Sequence, residues 1–240
     1  MKEFRILLVL VVIFNLLVSN RLYSQDKNLD YKLGMVQLIT GNNDAAIEYF
    51  NKAIAKDKNN IEAFYNRGIC YQKIGDVQKA LNDFTTVIQK NPIMHTAYNN
   101  RGLIYYNQKK YNKALADFSA SIKINYDYPF TYLYRSNTYL MLKDYNGALA
   151  DANTVLEYLS NYVKAHENAA IAAVELKKYT EALGHYNYLI AQSPSKAKYY
   201  VQRGRLLALM GQNDAACKDF KQSRALGSGE AKFDMTKVCK

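Results

Sequence analysis

Few residues in this 240-residue chain have the types and spacing that chemistry requires. Its three histidines, His95, His166 and His185, include no His-Glu-x-x-His pair, so no helix face offers two zinc ligands beside a general base. There is no Gly-x-Ser-x-Gly elbow, and Gly227-Ser228-Gly229 is too short for a phosphate loop and follows a helical stretch. The cysteines, Cys70, Cys217 and Cys239, form no Cys-x-x-Cys pair and so point away from redox catalysis. The sequence therefore predicts no enzyme, no catalytic residue, no metal and no cofactor.

The elements that carry these residues show themselves as a repeat. Aligning Gly68 with Gly102 gives a period of 34 residues and six windows, 27–60, 61–94, 95–128, 129–162, 163–196 and 197–230. Position 8 is always small: Gly34, Gly68, Gly102, Ser136, Ala170 and Gly204. Position 20 is always alanine, from Ala46 to Ala216, and position 24 reads Phe50, Phe84, Phe118, Ala152, Tyr186 and Phe220. Positions 4, 7, 8 and 11 follow the spacing of one helix face, and positions 20, 21, 24, 27 and 28 that of a second. Turn signals stand between the two helices at Gly41-Asn42, Gly75-Asp76 and Gly211-Gln212, and Pro92 and Pro194 end second helices. A helix pair cannot cover its own apolar faces, so six of them must stack.

Small residues at 8 and 20, aromatics at 4, 11 and 24 and a proline at 32, all at period 34, resemble the tetratricopeptide repeat over residues 27–230. The resemblance implies an all-α fold, a right-handed α-solenoid of six helix-turn-helix repeats closed by a C-terminal capping segment at 231–240. Repeat 5 departs most, with His166 at position 4 and Ala173 at position 11. In their places His166 and His185 read as packing residues rather than ligands.

Position 7, apolar in the usual pattern of that family, is Arg67, Arg101, Arg135 and Arg203 in repeats 2, 3, 4 and 6. Position 23 of those same repeats is Asp83, Asp117, Asp151 and Asp219, while repeats 1 and 5 lack both. An unpaired arginine on an inward face is costly, so each pair is expected to form a partly buried ion bridge between the two helices of its repeat. An anion site built from the arginines is the functional alternative.

The resemblance places ligand contacts on the concave side, lined by first helices. Position 6 there carries Asn66, Asn100, Tyr134, Asn168 and Gln202, and positions 5, 12 and 13 add Tyr31, Tyr65, Asn99, Tyr106, Lys73 and Asn107. The asparagines look like the row with which some family members hold a peptide backbone, since one amide both donates and accepts. A plain surface role for them is the other reading. The lysine, asparagine and arginine set with which the chaperone-binding subfamily grips a carboxylate is absent: position 5 is never Lys and position 6 never Arg.

The N-terminus suggests export. Lys2 and Arg5 precede an apolar run from Ile6 to Val18, shorter than the roughly 20 residues of a membrane span. Together with Ser24 they read as a secretory signal, residues 1–24. Leu22 is not the small residue preferred before a cut, which leaves an uncleaved membrane anchor as the alternative. An exported chain is expected in the periplasm or cell envelope, away from nucleic acid. In such a compartment a Cys217–Cys239 disulfide pinning the terminal cap is one expectation and two free thiols the other. The favoured function is a scaffold binding a partner protein or peptide, acidic in view of the +11 formal charge. The alternatives are an architectural subunit of an envelope complex, held by convex face or end caps, and a helper of a partner enzyme.

Overall fold

A computed structural model describes residues 28–239, and the expected signal at 1–24 lies outside them. The described residues form thirteen α-helices and no strand. First helices of the repeats are α1 (Leu29–Ile39), α3 (Ile61–Ile74), α5 (His95–Asn107), α7 (Pro129–Leu142), α9 (Val163–Glu175) and α11 (Ala197–Leu209). Second helices are α2 (Asn43–Lys56), α4 (Val77–Lys90), α6 (Tyr111–Ile124), α8 (Tyr145–Tyr158), α10 (Tyr179–Gln192) and α12 (Asn213–Ala225), and α13 (Glu230–Val238) follows. Each second helix begins 34 residues after the one before it.

The chain divides into two compact units, one ending at Ile104 and the other beginning at Tyr105, a boundary inside α5. In the first unit α1 to α4 pack each against the next, and in the second α6 to α13 do the same. Each unit is thus an all-α solenoid of consecutive helix pairs.

Local chemistry sets the helix ends. Asn42, Asn60, Asp76 and Asp144 each accept a hydrogen bond from a backbone N–H of the first turn that follows, satisfying a donor the helix cannot use. The turn inside every repeat needs one left-handed residue, always at position 15. Gly41, Gly75 and Gly211 fill it without strain, but Lys109, Lys143 and Lys177 fill it elsewhere, with φ near +60°.

Packing within a pair follows from position 8. A Cβ on Gly34, Gly68 or Gly204 would come within 2.7, 2.9 or 2.6 Å of the ring of Phe50, Phe84 or Phe220. The glycine lets the ring lie on the helix backbone, and each of these rings is sealed from water. Burying one contributes about 1.5–3 kcal/mol. Where position 24 is Ala152, Ser136 stands at position 8 and its hydroxyl donates to the Ala148 carbonyl at 2.8 Å.

The arginines tie repeats together. Arg67, Arg135 and Arg203 each donate Nε and Nη2 to both oxygens of the aspartate 16 residues later, Asp83, Asp151 and Asp219, at 2.7–2.8 Å. The third donor, Nη1, reaches back to the preceding repeat: Arg67 to Asn51, Arg135 to Ser119 and Arg203 to Asn187. Arg101 reaches Thr85 in the same way, at 3.2 Å. Arg101 belongs to the first compact unit and the buried Asp117 to the second. The hydrogen bonds that Arg203 donates to Asp219, partly opposed by burial, hold its pKa above even the usual value, so the guanidinium stays charged.

Repeat 5 replaces this device. Ala169 stands where the arginine would be, and His185 where the aspartate would be. The Nδ1 atoms of His166 and His185 face each other at 2.9 Å, the His166 ring stacks on Tyr188, and His166 Nε2 meets the Ser160 carbonyl at 3.0 Å. Burial, then the neighbouring His166, hold His185 below its ordinary pKa, with Glu181 opposing them. At the joint with repeat 4, Asn153 donates to Glu181 at 3.4 Å.

The last helix, α13, covers the end of repeat 6. Ala231 is buried, and Met235 and Val238 pack on Val201, Leu207, Ala216 and Phe220. Arg205 Nε donates to Asp234 at 2.9 Å, and a disulfide joins Cys217 to Cys239, with Cα atoms 5.3 Å apart. Cys70 is a buried free thiol.

Asp151→Ala should strand the half-buried Arg135 and cost about 3 kcal/mol, seen as a lowered melting temperature. Arg135→Met combined with Asp151→Leu should regain more than half of that loss, because no charge is then left unpaired. A single variant that melts with the parent would deny the bridge a structural role. The histidine pair gives a pH dependence of known sign. An unfolded chain takes up a proton at His185 near pH 6.5, whereas the folded chain does so only at lower pH, so stability falls on acidification below about 6.5. Melting temperatures measured between about pH 7.5 and pH 5 should drop further for the parent than for His185→Gln, and equal drops would assign the effect elsewhere.

Candidate functional site

The first helices present one face to solvent, and the residues on it sort by how tightly the neighbouring repeat holds them. Tyr31 and Tyr65, at position 5, are half-buried and lean on Phe50 and Phe84 with ring centroids 5.9 Å apart. Each tyrosine hydroxyl accepts a hydrogen bond from the asparagine 35 residues later: Asn66 Nδ2 to Tyr31 at 3.2 Å and Asn100 Nδ2 to Tyr65 at 3.0 Å. The same amides donate to the carbonyls of Glu62 and Thr96 in their own helices. The asparagine row thus joins one repeat to the next, and its Nδ2 hydrogens are already engaged.

Two residues expected on this face lie inside instead. Asn168 is 1% exposed and donates to Ser136 Oγ and Asn137 Oδ1 at 3.2 and 3.0 Å, and Asn99 is 6% exposed. Close approach of the preceding repeat covers Asn168, so neither side chain is offered to a ligand. Tyr106 is half-buried against Tyr111, and Tyr134 against Phe118. Burial raises the pKa of both. Lys73, Asn107 and Gln202 are exposed.

What the sequence reading passed over is aliphatic. Among the described residues, eleven large apolar side chains are exposed, and seven of them stand on first helices: Val36, Ile39, Ile74, Met141, Val163, Ile171 and Leu209. Second helices contribute Tyr158 alone, and the turns contribute Ile93, Tyr126 and Tyr128. Ile39, Met141 and Leu209 all fall at position 13, on the outward side of the helix, which was the available signal.

In the second unit this face deepens into a cavity of about 240 Å³ between α9 and α11. Its floor is Tyr186 and Leu189 of α10, one wall is Ile171, and its rim carries Lys164, Lys198 and Gln202. Glu167 organises the rim by accepting from Lys198 Nζ at 2.5 Å, Lys164 Nζ at 3.1 Å and Tyr199 Oη at 2.9 Å. Burial works against its charge, but these donors prevail and hold its pKa below the usual carboxylate value. Burial, reinforced by Glu167, pushes Tyr199 up to about 12, and burial does the same to Tyr186. The carboxylate of Glu167 is thus held in its charged form between its donors. Among the described residues no cluster of three His, Cys, Asp or Glu side chains stands ready for a metal.

Comparison with known proteins agrees with this architecture. Models described as tetratricopeptide repeat or TPR repeat match residues 34–75, 61–93, 95–125, 135–197 and 197–223, together about three quarters of the chain. No curated protein matches it closely enough to count as a relative. Among solved structures, YrrB, described as a TPR protein with an unusual peptide-binding site, aligns with a TM-score of 0.74 at 17% identity, over 79% of this chain and 98% of its own. PilF of Pseudomonas aeruginosa aligns at 0.69 and 19% identity, over 88% and 97% of the two chains. A tetratricopeptide repeat protein from Parabacteroides merdae ATCC 43184 aligns at 0.57 and 24% identity, over 89% and 84%. At these identities the likeness speaks for the fold. The recurring helix pair, the glycine-on-ring packing and the repeat models agree: the chain belongs to the tetratricopeptide-repeat family.

Proposed function

We propose that this protein is a non-catalytic scaffold of the cell envelope that binds a peptide or helix of a partner protein on the outward face of its first helices. The observation that carries the proposal is that seven of the eleven large apolar side chains exposed among the described residues stand on first helices, Ile39, Met141 and Leu209 at the same outward position, against Tyr158 alone on the second helices. Apolar area that folding leaves exposed on one side of an element marks a contact surface. The hydrogen-bonded Tyr–Asn steps beneath it hold the backbone in place, so little ordering remains to be done when a partner docks. A formal charge of +11 favours acidic partners. YrrB offers a precedent in fold, being described as having a peptide-binding site.

Two features support export. One is the signal-like pattern of residues 1–24, and the other is the Cys217–Cys239 disulfide, a bond that persists in oxidising compartments. PilW, a solved structure of the same fold described as a type IV pilus biogenesis factor, aligns with a TM-score of 0.65 at 17% identity and agrees with a role at the envelope. The architectural alternative draws on a different place: Tyr126, Tyr128 and Tyr158 are exposed at the turn edge of the second unit, where a neighbouring subunit could rest.

Photo-crosslinking in intact cells separates the two readings. A crosslinker at Ile39 or Leu209 should capture a partner, whereas one at Glu48 or Lys221, on second helices, should not. Capture only from Tyr126 and Tyr158 would transfer the function to the turn edge. Export has its own check. Thiol trapping in intact cells, followed by denaturation, should leave only Cys70 to alkylate, since its thiol is buried and its pKa pushed up to about 11. Alkylation of all three cysteines would place the protein in a reducing compartment.

A further inference from the structure

We infer that the cavity between α9 and α11 is the subsite that selects the partner, taking one apolar side chain of an acidic peptide on its floor and a flanking Asp or Glu carboxylate at its lysine rim. The inference rests on the scaffold reading above and narrows it to a ligand chemistry. Size comes first. At about 240 Å³ the cavity is smaller than the roughly 300–1,000 Å³ of sites that enclose whole small molecules, so it suits a single side chain. Its floor is apolar in character and already ordered: Leu189 and Tyr186 are buried in the repeat core, and Ile171 stands 45% exposed at the wall. A side chain seated there would cover the part of Ile171 that the described residues leave exposed.

Charge comes second. Lys164 and Lys198 are each more than half exposed, and both converge on the single carboxylate of Glu167, which is 14% exposed. Two ammonium groups around one carboxylate leave a net positive rim. An ammonium has three N–H donors, and one from each lysine is engaged with Glu167, so the others can meet a second carboxylate. Glu167 itself is anchored by Tyr199, so an incoming carboxylate adds to the lysine pair and does not displace it. The same geometry repels a basic peptide. A hollow on the first unit shows the contrast: there Asp57 and Glu62 stand with Lys32, and the charge balance is reversed.

The test uses the full chain with 13C-labelled isoleucine methyl groups, the Ile171 signal being assigned through Ile171→Val. The probes are blocked hexapeptides in which a central Leu-Glu, Leu-Lys or Ala-Glu pair is flanked by glycines. The Leu-Glu peptide should shift the Ile171 methyl signal saturably, and the other two should bind about fivefold more weakly or less, a difference of roughly 1 kcal/mol. Lys164→Gln with Lys198→Gln should weaken Leu-Glu binding about fivefold and remove its advantage over Leu-Lys. An Ile171 signal unmoved at about 10 mM peptide, or moved equally by Leu-Lys, overturns the inference; so does the same shift produced by inorganic phosphate alone, which would make the rim a general anion site. Crosslinking from Ile39 and Leu209 does not depend on this cavity. If it persists while Ile171 stays silent, the subsite alone is lost.

Discussion

A stack of helix pairs holds only if each joint between repeats is specific, and for repeats 2, 3, 4 and 6 the element that reaches back to the repeat before is a guanidinium. It is planar and presents its donors in fixed directions. Two of them meet the aspartate on the partner helix of the same repeat, and one crosses to the second helix of the repeat before. One residue therefore fixes the angle within a pair and the register between pairs. A lysine, with a single ammonium on a flexible stem, could not do both. The aromatic packing supplies the bulk of the burial, but a Phe on a Gly is tolerant of sliding, and the charged fork is not.

Much of this was legible in the sequence because it is periodic. Small residues at position 8, alanine at 20 and a ring at 24 disclose helix, face and phase together. The paired presence and absence of Arg at 7 and Asp at 23 points to contact between them, and the structure joins one such pair in the first compact unit and two in the second. The third partner escaped notice because Asn51, Thr85, Ser119 and Asn187 share only a side-chain oxygen, not a residue type. The left-handed turn position escaped in three repeats for a similar reason: lysine does not announce a positive φ as glycine does.

The asparagine row shows where periodicity stops. A helical wheel tells which way a side chain points, but not how near the next repeat stands. Asn66 and Asn100 point outward and still find a tyrosine of the preceding repeat, and Asn168 is covered altogether. Conversely, an aliphatic at position 13 reads as core when only its type is weighed, yet Ile39, Met141 and Leu209 remain in water. Binding surface and structural surface use the same helix, and distance to a neighbour decides between them.

Because each arginine needs nothing beyond its own repeat except one oxygen at position 25 of the repeat before, modules built this way are exchangeable. Repeat 5 contributes no such arginine, but it does offer Asn187 to Arg203. Excision of that module would bring Arg203 up against Asn153 of repeat 4, an amide at the same position. Duplication or loss of a whole 34-residue cassette is thus compatible with the joints on either side, and a lineage of such chains can lengthen or shorten its display surface without redesigning the rest.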